Sequence, residues 1–286
     1  MARPETFLVT GATGNTGSAL LRELVQRDVR VRAMVRRADD PLAAPVAEVA
    51  VADLDDEATV AAALAGVDRA YLVTPSSERA QDQQVRFAEL AADAGVRHLV
   101  KLSQFAADED SPVRFLRYHA VVERRIRELG IGWTFLRPNL YFQGLLAMAG
   151  MIRGTGAFAA PIGDAQVSAV DVRDIAGVAA AALTGPGDKG QIYTITGPAA
   201  LTHAEMAAAI GSAIGRDVTF SDAPPEVFAA HLRGVLPEWQ VGGLLEDYAH
   251  YARGEAAEVV PTVAEVTGRA PRTVADFAHD YAAAFT

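Results

Sequence analysis

Eight residues near the start of the chain, Thr10-Gly11-Ala12-Thr13-Gly14-Asn15-Thr16-Gly17, lie between a short apolar run (Thr6–Thr10) and a helical pattern (Ser18–Arg27). Three glycines at G-x-x-G-x-x-G spacing let the backbone turn sharply and bring its N–H groups close to an anion. The following helix adds the positive end of its dipole. Placed after a strand, this is chemistry for holding a dinucleotide pyrophosphate, although the spacing differs from the common G-x-G-x-x-G. Sites that take NAD usually carry an acid about 20 residues further on, where it binds the ribose 2′-hydroxyl. Here the second strand ends Ala33-Met34-Val35-Arg36-Arg37, and the first acid is Asp39. Two arginines suit the 2′-phosphate of NADP(H) instead. Asp53, at the end of a third strand candidate, could meet an adenine edge or cap the next helix, and the sequence leaves both open.

A second group of residues could handle protons. Phe115, Tyr118, His119, Val122, Ile126 and Leu129 recur at three- to four-residue spacing and define one helix face. That face points His119 inward. An imidazole there can hydrogen-bond a developing oxyanion, with Glu123 one turn on to orient it, or it can be a core histidine bonded to backbone. Arg137-Pro138-Asn139 follows the sixth strand candidate, with Tyr141 and Phe142 just beyond. An aromatic pair at that edge suits a flat, conjugated substrate. The competing reading is packing of a second lobe. Thr74 and Pro75 after strand four join Thr10, Gly11, Thr13, Gly14, Asn15, Thr16, Gly17, Arg36, Arg37, Asp53, Pro138 and Asn139 as cofactor candidates. Gln104, Asn139, Tyr141 and Phe142 are the substrate candidates.

These groups need a scaffold, and the pattern supplies one. Thr6–Thr10, Val29–Val35, Val46–Ala52, Arg69–Thr74, His98–Ser103 and Trp133–Leu136 read as strands. Helical patterns run between them, at Ser18–Arg27, Ala58–Ala65, Ser77–Ala94 and from Ser111-Pro112 to Gly130. Strands alternating with helices of this length form βαβ units and a parallel sheet. The second half is less regular. Val167–Val170 and Gln191–Thr196 read as strands, Arg173–Leu183 as a helix, and Thr202-His203-Ala204-Glu205 as a capping box opening a helix to Ile214. The remainder reads as helices interrupted by prolines. The expected fold is α/β: a doubly wound parallel sheet of Rossmann type with a smaller, mainly helical C-terminal lobe. The division expected is 1–143, completed by 167–197, for the dinucleotide, and 144–286 mainly for the substrate.

Composition narrows the classes. Half of the 286 residues are hydrophobic and 22% are charged, which places the chain among folded globular proteins. The formal net charge of −10 argues against a partner recognised through its phosphate backbone, so no nucleic acid is expected. Residues 1–143 carry 18 basic and 20 acidic side chains, and residues 144–286 carry 8 and 16. The basic groups therefore sit with the half that could hold an anionic cofactor. There is no cysteine, which removes disulfides, thiolate metal sites and a Cys nucleophile, and fits a cytoplasmic location. No H-E-x-x-H, G-x-S-x-G or G-x-x-x-x-G-K-[ST] pattern occurs, so no metal site is expected. The N-terminal stretch MARPETFLVTGATG lacks the apolar core of a secretory signal. No apolar run approaches the ~20 residues of a membrane span.

With these residues in place, the sequence resembles the NmrA-like branch of the atypical short-chain dehydrogenase/reductase superfamily. The resemblance is carried by TGATGNTG (10–17), MVRR (34–37), ADLDD (52–56), the block from His119 through Gly130 to LRPNLYFQ (136–143), SAVDVRDIAGVAAAAL (168–183) and YTITGPAALTHAEMAAAIGSAIGR (193–216). Within that branch it is most similar to NAD(P)H:quinone reductases and triphenylmethane-dye reductases. The resemblance implies a parallel sheet that binds NADP(H), a C-terminal lobe closing over the nicotinamide, and hydride transfer to a small aromatic or quinone-like molecule. The superfamily's usual catalytic set is a Ser after strand five with Tyr-x-x-x-Lys on the next helix. Ser103 and Tyr118 match the first two, but Val122 stands where the Lys belongs, which leaves Tyr118 as a proton donor in question. In the related isoflavone-reductase-like proteins a catalytic Lys stands eleven residues before the Gly that precedes the next strand. Counted from Gly130, that position is His119. The catalytic candidates are therefore His119, Tyr118 and Ser103. The branch also contains non-catalytic redox sensors that bind a protein partner, and the same fold can serve another biosynthetic reaction. A homodimer is carried as the candidate assembly.

Overall fold

The computed structural model of the chain describes residues 4–27, 29–42, 44–186 and 190–286. Of the sequence expectations, the first three residues of the N-terminal stretch and positions 187–189 of the 167–197 return lie outside the described residues. By internal contacts the chain divides into two compact units. One comprises the chain up to Asp110, with Leu116–Arg137 and Ile175–Tyr193. The other comprises Ser111–Phe115, Pro138–Asp174 and Thr194–Thr286.

The first unit is built around parallel strands. They are β1 (Thr6–Val9), β2 (Arg30–Val35), β3 (Glu48–Val51), β4 (Arg69–Leu72), β5 (His98–Leu102), β6 (Gly132–Pro138) and, later in the chain, β8 (Gln191–Ile195). The sheet order is β3-β2-β1-β4-β5-β6-β8, so the winding reverses at β1. This is the doubly wound arrangement expected. β1, β4 and β5 are buried along their whole length, as strands covered on both faces are. The crossovers are α1 (Asn15–Leu24), α2 (Glu57–Leu64), α3 (Ala80–Asp93), α4 (Arg114–Glu128) and α6 (Val172–Thr184). Leu8, Leu72, Leu99 and Phe135 of the strands pack with Val60, Leu64, Phe87, Val122 and Ile126 of the helices in one core.

Gly11 and Gly17 set the turn between β1 and α1. Gly11 has φ +56°, and a β-carbon there would lie 2.6 Å from Val73 Cγ1. A β-carbon on Gly17 would collide with the Gly11 carbonyl oxygen. The helix can start this close to the strand only because both side chains are missing.

The second unit is mainly helical, with α5 (Ala149–Thr155), α7 (His203–Ile214), α8 (Pro225–Leu232), α9 (Glu238–Ala252), α10 (Thr262–Thr267), α11 (Val274–Asp280) and α12 (Ala282–Phe285). The Thr202–Glu205 capping box forms as the sequence indicates, with both reciprocal bonds present. The strand expected at Val167–Val170 is reduced to isolated bridges, Tyr141 to Val170 and Val167 to Leu201. A two-stranded parallel pair that the sequence did not announce, β7 (Ala157–Ala160) with β9 (Thr219–Asp222), lies in this unit instead. The core here is formed by Phe142, Ile152, Phe158, Met206, Ile210, Phe277 and Phe285.

Candidate active site

The glycine loop and the start of α1 form an open cradle. Gly11, Thr13, Gly14 and Asn15 are exposed, whereas Thr10, Thr16 and Gly17 are buried. The first bond of the helix runs from Ser18 N–H to the Gly14 carbonyl. The N–H groups of Asn15, Thr16 and Gly17 therefore precede any intrahelical acceptor. No side chain caps this end and no acid occupies its first turn. By contrast, α2, α7 and α11 are capped by Asp56, Thr202 and Thr273. This donor set, together with a loop that has no room for side chains, fits a dinucleotide phosphate. Thr10 has a different task. Its hydroxyl donates to the Val73 carbonyl and accepts from the Val73 N–H, each at 2.8 Å, tying β1 to the chain after β4.

At the end of β2 the two arginines differ. Arg37 is held by Asp40, with Nε to Oδ1 at 3.1 Å and Nη2 to Oδ1 at 3.0 Å. The Arg37 backbone N–H, then its guanidinium and the Arg36 N–H, hold the Asp40 carboxyl below its ordinary pKa. Arg36 is exposed, and among the described residues no carboxylate pairs with it. Asp53 uses one oxygen to accept the Asp55 N–H at 3.0 Å, closing its own turn. The cap of α2 is Asp56, which accepts from Ala58 and Thr59, so the capping alternative for Asp53 is corrected. Thr74 is half-buried and its hydroxyl accepts from Gln84 Nε2 at 2.8 Å, while Pro75 is exposed.

Beneath α4 lies a buried polar cluster. Along β5 alternate side chains face opposite sides, and Lys101 shares a side with Ser103. On α4 the four-residue spacing stacks His119, Glu123 and Arg127. Lys101 is fully buried, and its Nζ lies 2.7 Å from His119 Nδ1 and donates to the Leu102 carbonyl at 3.1 Å. Burial pushes the Lys101 ammonium down to about 7, partly opposed by the Glu123 charge. His119 is 8% exposed. Burial, and then the Lys101 and Arg137 charges, hold its imidazole well below the usual range. It is therefore neutral. Among the described residues no protein group bonds its Nε2. Tyr118 packs beside it, ring centroids 4.2 Å apart.

Glu123 is also fully buried. It does not reach His119 Nδ1, as its place one turn on suggested. It accepts from Ser103 Oγ at 2.6 Å, from Arg137 Nε and Nη2 at 2.9 and 2.6 Å, and from Arg127 Nη2 at 3.1 Å. Both oxygens are satisfied, as a buried carboxylate requires. Ser103 thus spends its proton on Glu123, which removes it as a free catalytic hydroxyl. The sequence reading missed Lys101 altogether. The available signal was a cation inside HLVKL, a run otherwise written for a fully covered strand, since a buried charge demands a partner.

The candidates beyond β6 belong to the second unit. The Asn139 amide donates to Ser168 Oγ at 2.9 Å and to the Ala256 carbonyl at 2.8 Å, and its Oδ1 accepts the Leu140 N–H at 2.8 Å. Phe142 is 1% exposed and stacks on Phe277 at 5.7 Å. Pro138 is buried. Asn139 and Phe142 bind parts of the unit to one another, and the substrate-facing expectation for these two is corrected accordingly. Tyr141 and Gln104 are half-buried. The loop after β5 contains Ala106 at φ +57°, the one non-glycine residue in the left-handed region among those described. Strain of this kind gathers where a neighbouring group must be held in place.

A model of the NmrA-like family matches residues 3–278. The NAD(P)H azoreductase of Xenophilus azovorans is 39% identical over 98% of this chain and 99% of its own. A (4-alkanoyl-5-oxo-2,5-dihydrofuran-3-yl)methyl phosphate reductase of Streptomyces griseus is 38% identical over 98% and 99%. Among solved structures, the NADPH-dependent quinone oxidoreductase QOR2 of Escherichia coli, complexed with NADPH, superimposes with a TM-score of 0.83. It is 26% identical and covers 96% of this chain and 99% of its own.

Proposed function

The chain belongs to the NmrA-like family, and from that premise we propose which acceptor it reduces and which residues serve the reaction. The protein is an NAD(P)H-dependent oxidoreductase and its cofactor is NADP(H). The proposed acceptor is a small, flat, conjugated molecule of quinone or azo-arene type. The relatives are named for an azo group, an acyl-substituted unsaturated lactone and a quinone, and each of these holds an electron-poor conjugated bond that accepts hydride readily.

In this reading the N–H groups at the start of α1, with Thr13 and Gly14, hold the pyrophosphate. Arg36 binds the 2′-phosphate. Asp53, Thr74 and Pro75 flank the nucleotide, and the second unit serves the substrate. The cofactor, when bound, supplies a hydride. The chain must then hold the acceptor and stabilise the charge that grows on it. His119 is given that task. The observation that carries the assignment is its free Nε2: the imidazole is neutral, Nδ1 faces a hydrogen-bond donor, and the remaining nitrogen has no protein partner. A neutral donor with its other face tied down is a preorganised oxyanion contact. Delocalised product anions need no stronger acid, which accounts for the missing Tyr-x-x-x-Lys pair. Tyr118 packs against the ring and keeps it in place.

Replacing His119 by Ala should lower turnover of a quinone by about 10²-fold or more, with NADPH affinity close to wild type. Turnover at the wild-type rate in a folded His119→Ala protein would return the histidine to a packing role.

A further inference from the structure

We propose that Lys101 is a positioning residue and proton reservoir for His119: it holds the imidazole as the Nε2–H tautomer and replaces the proton that Nε2 gives to the reduced acceptor. This inference rests on the role given to His119 above.

The geometry supports it from three sides. First, Lys101 comes from the sheet and not from the helix. It therefore meets Nδ1, the nitrogen that leaves Nε2 free, at 2.7 Å. An ammonium can only donate. While it is charged, Nδ1 must accept, and a neutral ring must carry its hydrogen on Nε2. Second, the nearby carboxylate is already occupied. Glu123 is bonded by Ser103, Arg137 and Arg127, so it does not pair directly with Lys101. The lysine contacts the Leu102 carbonyl and the imidazole. Third, the charged groups around it leave it easily deprotonated. Arg137 on β6 disfavours the ammonium, Glu123 on α4 favours it, and burial outweighs both, so it loses its proton near neutral pH. A buried lysine of ordinary basicity would hold its proton too tightly to give it up.

Hydride from the dinucleotide reduces the acceptor, which becomes an anion. The Nε2–H bond breaks and that proton goes to the anion. At the same time Nδ1 takes a proton from Lys101 Nζ. The imidazole stays neutral with its hydrogen moved to Nδ1, and the ammonium becomes an amine. After product leaves, a solvent proton enters at Nε2 and the Nδ1 proton returns to Lys101.

Two measurements test this. In cofactor-free protein labelled with nitrogen-15, the His119 ring should show Nε2 protonated and Nδ1 bare at pH 6. The pattern should change as pH rises through about 7. In Lys101→Met, which keeps the chain length and orphans no carboxylate, that change should be absent. With NADPH and a quinone, wild-type turnover should fall as pH rises above about 7. Lys101→Met should turn over at least about tenfold more slowly with that limb gone. Lys101→Arg, which can donate to Nδ1 but does not release its proton, should keep the Nε2–H pattern at every pH and recover at most part of the rate, with no limb near 7. A His119 ring carrying its proton on Nδ1 at pH 6 in the wild type overturns the proposal. So does a Lys101→Met enzyme with the wild-type rate and pH profile. If no acceptor is reduced by the wild type, the oxyanion role of His119 fails and the relay fails with it. The ring spectra then still report whether Lys101 sets the tautomer.

Discussion

Arg36 and Arg37 are neighbours of the same type, yet only one is free to bind. Arg37 is locked to Asp40 through its side chain and its backbone N–H. Arg36 stands exposed with no such partner among the described residues. An exposed guanidinium can close on a phosphate without first breaking an ion pair. Preference for NADPH over NADH should therefore rest on Arg36. Arg36→Ala should weaken NADPH by about 1.5–3 kcal/mol, tenfold or more, the range for a hydrogen bond to a charged group. NADH binding should barely change, and Arg37→Ala should have the smaller effect on NADPH. Titration of the three proteins with both cofactors checks this, and equal losses for the two variants would contradict it. The sequence placed both arginines at the right strand end. It could not separate them, because Asp40 acts through a turn whose shape no spacing announces. The same limit hid Lys101. Read by period, a lysine in a strand counts as a polar position; a cation in so covered a run signals a buried charge, but only the three-dimensional neighbours name His119 of α4 as its partner.

At the scale of elements, the join between β1 and α1 is the most tightly determined feature, and it was legible because glycine is the only residue that fits. Gly17→Ala would place a methyl group against the Gly11 carbonyl oxygen, an atom of the backbone that cannot rotate away. Overpacking of this kind costs about 1–3 kcal/mol. The variant should melt at lower temperature and bind NADPH more weakly, as the helix start is pushed off the strand. An unchanged melting temperature and affinity would show that the loop relaxes freely. The Thr202 capping box was equally legible, since both of its bonds lie within four residues. The pair β7–β9 was not. Its strands are four residues each and lie some 60 positions apart, so nothing local fixes their register. The helix expected from Ser111-Pro112 begins later, at Arg114. The Ser111 hydroxyl accepts the Val113 N–H, and the Arg114 N–H is taken by Glu246 of α9, a partner far along the chain.

For the molecule as a whole, alternation of strand and helix announced the doubly wound sheet, and the observed order with its reversal at β1 agrees. Among the described residues no helix is long and apolar enough to cross a membrane. The second unit was less legible because its contacts are dispersed: Asn139 reaches Ala256, and Phe142 reaches Phe277. Residues that looked like a substrate surface from their neighbourhood in sequence are the groups that knit distant segments together. The central claim concerns what the whole protein does with NADPH. It is tested most directly by following NADPH oxidation at saturating cofactor against a panel of small quinones, an azo-arene, a ring enone and a simple aliphatic ketone. The conjugated acceptors should be reduced, with one NADPH consumed per quinone or enone and two per azo bond cleaved to amines, and the aliphatic ketone should stay near the uncatalysed rate. NADPH oxidation at background with every conjugated acceptor, by a protein that binds NADPH, would contradict the account.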